Sequence, residues 1–316
     1  MALEVAGKHP GREAPFLPAI SDGLPTLPGY VFELNQLLAA QQVDLNRVTQ
    51  VIRTDPSLTA QLLRMWSASV GSAGGSAETL EEIVLLLGRE RLRTLVLTCS
   101  LMRQPDRAIA ASDLEGFWEH SYLTARLSEG LARELRCVQP DLAYLAGLLH
   151  DIGRLALLEL GYEHGLTPEE YAGDGTEPEA ERCGWNHCTA GRAIGIAWNF
   201  PAAIIEVLER HHDPQRATLD PTLTAIVAVA DQFCDSHGVD FGASATHWQL
   251  PAAGQFPERI RAILPQFSPQ IHQRLAQVLG AEWMRLIPAI NSRSLAFSRR
   301  ASKPEGSPAG AGVPPK

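Results

Sequence analysis

Lysine is nearly missing from this chain: of 27 basic residues only Lys8, Lys303 and Lys316 are lysines, the rest being arginine. The basic residues form no block, and the formal charge is −9. Phosphate backbones are held by clustered cations, so nucleic-acid binding is not expected. The short run Arg89, Arg91, Arg93 reads as a solvated helix face. Long apolar stretches are also missing. Runs such as Ile83–Leu87 and Ala225–Ala230 are far short of the ~20 residues that span a bilayer. The opening Met-Ala-Leu-Glu-Val-Ala-Gly lacks the basic-then-apolar pattern of a signal peptide. Five scattered cysteines (Cys99, Cys137, Cys183, Cys188, Cys234) form no disulfide framework. No membrane association and a cytoplasmic, reducing location are therefore expected. Strand-like alternation is scarce as well, which leaves an all-α fold.

What is present is apolar material at helical spacing: 45% of the residues are hydrophobic, enough for substantial cores. At 316 residues two helical units sharing a core are expected. Residues 1–23, rich in Pro, Gly and Ala, read as a flexible leader, and residues 297–316 as a disordered tail. Residues 24–108 form a first helical subdomain. Leu34, Leu37, Leu38 and then Leu45, Val48, Ile52 step by three and four. Asp55-Pro56 opens a helix, Asp as cap and Pro where a missing N–H costs nothing. Thr79 and Glu82 have capping-box spacing, Gly88 closes that helix, and another follows through Leu92, Leu95, Val96 and Cys99. No catalytic constellation occurs here.

Residues 109–243 carry the chemistry. His120 shares a helix face with Thr124, Leu127, Leu131 and Leu135. The apolar run Leu142–Leu149 leads directly into His150-Asp151, and Ile152-Gly153 follows, with Gly153 loosening the backbone. His187 aligns with Gly191, Ile194 and Trp198; His211 and His212 extend the face of Ile204, Ile205 and Leu208; Asp231 stands four residues after Val227. One histidine on an apolar stripe is ordinarily a satisfied core residue. Buried carboxylates are costly unless paired, and seven such exceptions on five helices point to a shared cation. The metal ligands expected are His120, His150, Asp151, His187, His211, His212 and Asp231. Imidazole with carboxylate suits a divalent metal: iron, manganese, zinc or magnesium. A competing zinc site is Cys183, His187 and Cys188, whose spacing fits no usual knuckle. In the acidic stretch Gly161–Gly184, Glu181 could add a carboxylate, against the simpler reading of a solvated loop. Residues 244–296 form a C-terminal helical extension, with helices at Ile260–Leu264 and Ser268–Leu279, the latter ended by Gly280.

Ala146-Gly147-Leu148-Leu149-His150-Asp151-Ile152-Gly153, His187-Cys188-Thr189-Ala190-Gly191 and His211-His212-Asp213-Pro214 together resemble the HDOD domain of bacterial signalling proteins, which is related to the HD and HD-GYP phosphohydrolases. Leu24-Pro25-Thr26-Leu27-Pro28, Asp55-Pro56-Ser57-Leu58-Thr59 and Leu87-Gly88 look like the family's opening helices, so the resemblance runs from Leu24 to Phe241. It implies an HD-type helical bundle preceded by an N-terminal helical subdomain, and a role in bacterial signal transduction with protein partners. HDOD domains are often non-catalytic outputs that have lost part of the metal set, whereas this chain keeps all seven residues. It departs from the catalytic HD-GYP pattern: Arg154 stands for a lysine, no Gly-Tyr-Pro follows His212, and Met65-Trp66-Ser67 replaces an Asn-Ser pair. Three readings stay open: an output module with a metal site, a metal-dependent phosphohydrolase, and a metal-free partner-binding scaffold. In the second, metal would activate water against a phosphate ester or nucleotide, with Asp151 bridging metals or orienting the nucleophile and Arg154 steadying phosphate charge.

Overall fold

The computed structural model describes residues 28–70, 79–101, 111–136, 138–164, 176–237 and 269–301, with positions 14, 15, 17, 18, 24, 26 and 239. Side chains 28, 97–101, 111–115, 159–164, 177, 182–183, 269 and 287–301 are outside that description. Among the described residues there are helices and no strands. The first unit holds α1 (Pro28–Ala39), α2 (Leu45–Arg53), α3 (Pro56–Val70) and α4 (Leu80–Leu101). Its helix starts follow local chemistry. Asp55 is buried, accepts the Leu58 N–H at 2.9 Å and takes a second hydrogen bond from the Thr26 hydroxyl. Thr79 and Glu82 exchange the reciprocal bonds of a capping box, at 3.2 and 3.4 Å. Gly88, at φ 71°, breaks α4 into two helical segments where a glycine stop was expected.

The second unit comprises α5 (Ala111–Leu135), α6 (Pro140–Leu149), α7 (Ile152–His164), α8 (Thr176–Cys183), α9 (His187–Ala197), α10 (Ala202–Arg210), a 3-10 turn (Pro214–Arg216) and α11 (Pro221–Ser236). The two units share one apolar core, in which Leu58, Leu62 and Val84 join Phe117, Leu148, Leu155 and Ile194. Polar ties reinforce the join. Arg53 stands 2.9 Å from Glu81 and 3.4 Å from Asp141, and its guanidinium lies over the Tyr144 ring. Ser67, in the segment that departs from the family pattern, donates to the Asn199 carbonyl at 2.9 Å.

Two glycines set how closely the helices approach. A Cβ on Gly147 would meet the Ala125 Cα of α5 at 2.9 Å, so α5 and α6 are in backbone contact there. A Cβ on Gly153 would meet the His187 carbonyl oxygen at 2.0 Å and the Gly191 nitrogen at 2.6 Å. Gly153 is therefore not a loosened joint. It lies inside α7, and its missing side chain lets α7 touch the start of α9.

A last helix, α12 (Pro269–Ala301), packs on α5, burying Leu275, Leu279 and Trp283 beside Leu127, Leu131 and Phe233. It passes straight through Gly280, where a stop was expected, because the apolar stripe continues to Trp283 and Leu286 and outweighs the ~1 kcal/mol cost of glycine. It also extends into the expected tail, as far as Ala301. Ile260–Leu264 lie outside the described residues, as does most of the leader, although Ala14 is buried in the shared core.

Candidate metal centre

Ordinary helix-end chemistry delivers the polar residues to one point. His150 caps the C-terminus of α6 and Asp151 occupies the turn into α7. His187 is the first residue of α9, whose start is fixed by Asn186 and Thr189 in a capping box. His211 caps α10 and His212 follows it. His120 and Asp231 come from the middles of α5 and α11. All seven converge, and six are buried; only His212 is partly exposed, its side chain at 15%.

The donor atoms fall into two adjoining groups. In the first, His120 Nε2 is 3.1 Å and His150 Nε2 3.3 Å from Asp231 Oδ1, the two nitrogens are 3.2 Å apart, and Asp151 Oδ2 is 3.9 and 3.6 Å from them. In the second, His187 Nε2 lies 3.3 Å from His211 Nε2 and 2.9 Å from His212 Nε2. Asp151 Oδ1 stands 3.4 and 3.5 Å from the His187 and His211 nitrogens. One carboxylate thus presents an oxygen to each group.

The outer edge of each ring fixes its tautomer. His120 Nδ1 is 2.8 Å from the Val239 carbonyl, His150 Nδ1 2.8 Å from the Gly147 carbonyl, and His211 Nδ1 2.9 Å from the Val207 carbonyl. A carbonyl only accepts, so each Nδ1 carries a proton and donates it. His187 Nδ1 donates to Glu179 Oε2 at 2.7 Å, and the His187 backbone N–H donates to the same oxygen at 2.8 Å. Every Nε2 of these four rings is thereby aimed inward, where loss of its proton leaves a lone pair for a metal, the arrangement that orients metal-binding imidazoles.

The carboxylates are also of a kind that a cation would satisfy. Asp151 Oδ1 and Asp231 Oδ2 are buried and accept no well-formed hydrogen bond, a state costing on the order of 1–3 kcal/mol or more for each group. Burial alone would push both acids up, but Arg154 and the imidazoles hold Asp151 well below the usual carboxylate range, and His120 and His150 do the same for Asp231. The demand for positive charge is mutual. Burial disfavours the His120 cation, yet Asp231, Asp235 and Asp151 raise that ring to about 10. His187 rises to about 9 despite burial, through Cys188, Glu179 and Asp151. His212, half-buried beside His211 and His187, falls to about 2 and stays a neutral donor. The donor chemistry fits a divalent ion in each group, and one of the orphaned oxygens, Asp151 Oδ1, stands in the second.

Three residues were not foreseen in these roles. Glu179, not Glu181, is the carboxylate of the acidic stretch that reaches the centre: it is buried against His187 and Arg154, whereas Glu181 is exposed. Asp235 lies 3.8 Å from His120 Nδ1. Cys188, placed in a competing site at the sequence level, belongs to the same centre, its sulfur 3.9 Å from His211 Nε2. The Cys183 side chain lies outside the described residues. Arg154 is buried, with Nε 2.6 Å from Asp151 and Nη1 3.4 Å from Glu179, so its charge is spent on two carboxylates of the centre.

The family model of the HDOD domain matches residues 24–214, a span that holds every residue of the centre except Asp231 and Asp235. An uncharacterized protein of Treponema pallidum is 22% identical over 200 residues, 61% of this chain and 38% of its own length. The chain thus spans well under half of that curated relative. Among solved structures, the response regulator MmoQ from Methylococcus capsulatus has a TM-score of 0.59 at 24% identity, over 81% of this chain and 98% of its own. A virulence factor from Campylobacter jejuni has a TM-score of 0.50 at 16% identity, over 80% and 97%. At such identities the likeness is one of fold. No helix among the described residues is long and apolar enough to cross a membrane.

Proposed function

The chain belongs to the HDOD family, and on that premise we propose that it is a cytoplasmic output module of bacterial signal transduction whose His/Asp centre binds divalent metal in a structural or sensory role. The observation that carries this reading is the pairing of inward-facing Nε2 atoms with two buried carboxylate oxygens that lack hydrogen-bond donors. His120, His150, Asp151 and Asp231 would hold one ion; His187, His211 and His212 would hold a second, with Asp151 shared. A bound divalent ion supplies charge neutralisation and, where a coordination position is open, an acidified water.

The remaining residues favour binding over turnover. Glu179 fixes the His187 ring and holds Arg154 against Asp151, so the nearest guanidinium is not presented to an incoming phosphate. Signalling proteins are the partners proposed, engaged through the helical surface around the centre. The second reading, a phosphohydrolase acting on a phosphate ester or nucleotide, draws on the completeness of the donor set, with Asp151 bridging and Arg154 released to the phosphate.

A phosphomonoesterase and phosphodiesterase screen with Mn²⁺, on wild type, His150→Ala and Asp151→Ala, separates the two. The expected result is no turnover that depends on His150 or Asp151. Turnover in the wild type that disappears in both variants would establish the enzyme instead.

A further inference from the structure

The second donor group contains an atom that neither the seven-residue set nor the hydrolytic reading uses: the sulfur of Cys188. We propose that Cys188 is a thiolate ligand, so that His187, Cys188, His211 and His212 form a closed, zinc-selecting position beside an oxygen-and-nitrogen position at His120, His150, Asp151 and Asp231. This inference rests on the metal-binding reading above and sharpens it.

Geometry carries it. The four donor atoms lie within 4.8 Å of one another. Tetrahedral zinc, with Zn–N of ~2.0–2.1 Å and Zn–S of ~2.3 Å, places its donors about 3.3 Å (N to N) and about 3.6 Å (N to S) apart. The distances here are 3.3 Å for His187–His211, 2.9 Å for His187–His212 and 3.9 Å for Cys188–His211. Cys188 is buried and forms no disulfide. It stands next to His187 in the first turn of α9, where the capping box of Asn186 and Thr189 fixes the backbone and the helix end favours an anion.

Residue type then separates the two positions. Three imidazoles and a thiolate are borderline-soft and suit zinc, whereas two imidazoles with carboxylate oxygens suit manganese, iron or magnesium. Cys188 here takes the place of the shared Asp151 oxygen, which stays with the first position, and a fourth protein ligand has a functional consequence. Catalytic zinc sites keep three protein ligands and a water, while four-ligand sites are structural. The thiolate fills the place where a nucleophilic water would sit.

The test uses the full-length protein, purified without a nickel column, chelated and titrated with Co²⁺. The expected result is a near-ultraviolet sulfur-to-cobalt charge-transfer band in wild type and Cys183→Ser that vanishes in Cys188→Ser, while the first position still takes up cobalt. Zinc affinity in Cys188→Ser should fall by more than the ~10–100-fold that loss of an outer partner costs. Zinc-edge X-ray absorption of the wild type, which needs no variant, should show one sulfur scatterer. Cobalt binding without the band, or a band that survives Cys188→Ser, overturns the ligation while leaving the metal centre standing. Absence of any cobalt or zinc binding overturns the metal-binding reading and this inference with it.

Discussion

The carbonyl oxygen of His187 lies where a Cβ on Gly153 would approach it to 2.0 Å. That contact sets the spacing between the Asp151 turn and the start of α9, and hence the 3.4 Å between Asp151 Oδ1 and His187 Nε2. Gly153→Ala must push the two backbones apart. A stability loss of about 1–3 kcal/mol or more is expected from overpacking, together with weaker metal binding. Thermal unfolding and metal titration of the variant check this; an unchanged affinity would mean that the contact does not position the centre.

Glu179 acts on the metal centre through His187. Glu179→Gln keeps an acceptor for the Nδ1 proton but removes the charge that makes the ring a better donor and balances Arg154. Metal affinity should drop on the order of 10–100-fold, while Glu181→Gln, at an exposed position, should leave it unaltered. Isothermal titration on the two variants decides the matter, and equal effects would contradict it.

Stability of the chelated protein should depend on pH with a definite sign. His120 and His187 are raised from 6.5 to about 10 and about 9 by facing carboxylates and Cys188, against the opposing effect of burial. A raised histidine contributes stability in full below its unfolded value and loses it as pH climbs through the folded one. The melting temperature in chelator should therefore fall between pH 6.5 and about 10, and metal should remove most of that slope. A level profile in chelator would show that the rings are not paired with these acids.

Much of the centre was legible because each residue broke an apolar stripe: His120 ahead of Leu127 and Leu131, Asp231 after Val227, His150-Asp151 at the end of Leu142–Leu149. Glu179 broke no stripe. It sits in a short helix with Glu177 and Glu181, and only tertiary contact tells it from Glu181. Cys188 was visible as a ligand type beside His187, yet His211 and His212 come from the end of α10, which sequence spacing does not bring close. Gly153 was legible as a special position for the wrong reason, since backbone crossings leave no local pattern. Gly280 misled because a terminating glycine and a tolerated one look alike until the packing partners of Trp283 are known.

Trp283 itself is fully buried between α5 and α11, with its ring 5.5 Å from Phe233 in an edge-on contact. Trp283→Ala should cost about 3–5 kcal/mol and increase protease access to α12, read by limited proteolysis and chemical denaturation. A loss under about 1 kcal/mol would mean that α12 is not part of the cooperative fold.

Metal content of the full-length protein, purified without immobilised nickel and equilibrated with zinc and manganese, bears most directly on the convergent His/Asp centre. Mass spectrometry of bound elements should find about two divalent ions per chain in the wild type, and substantially fewer in folded Asp151→Ala, which removes the shared carboxylate. A folded wild type that retains no more metal than Asp151→Ala would contradict it.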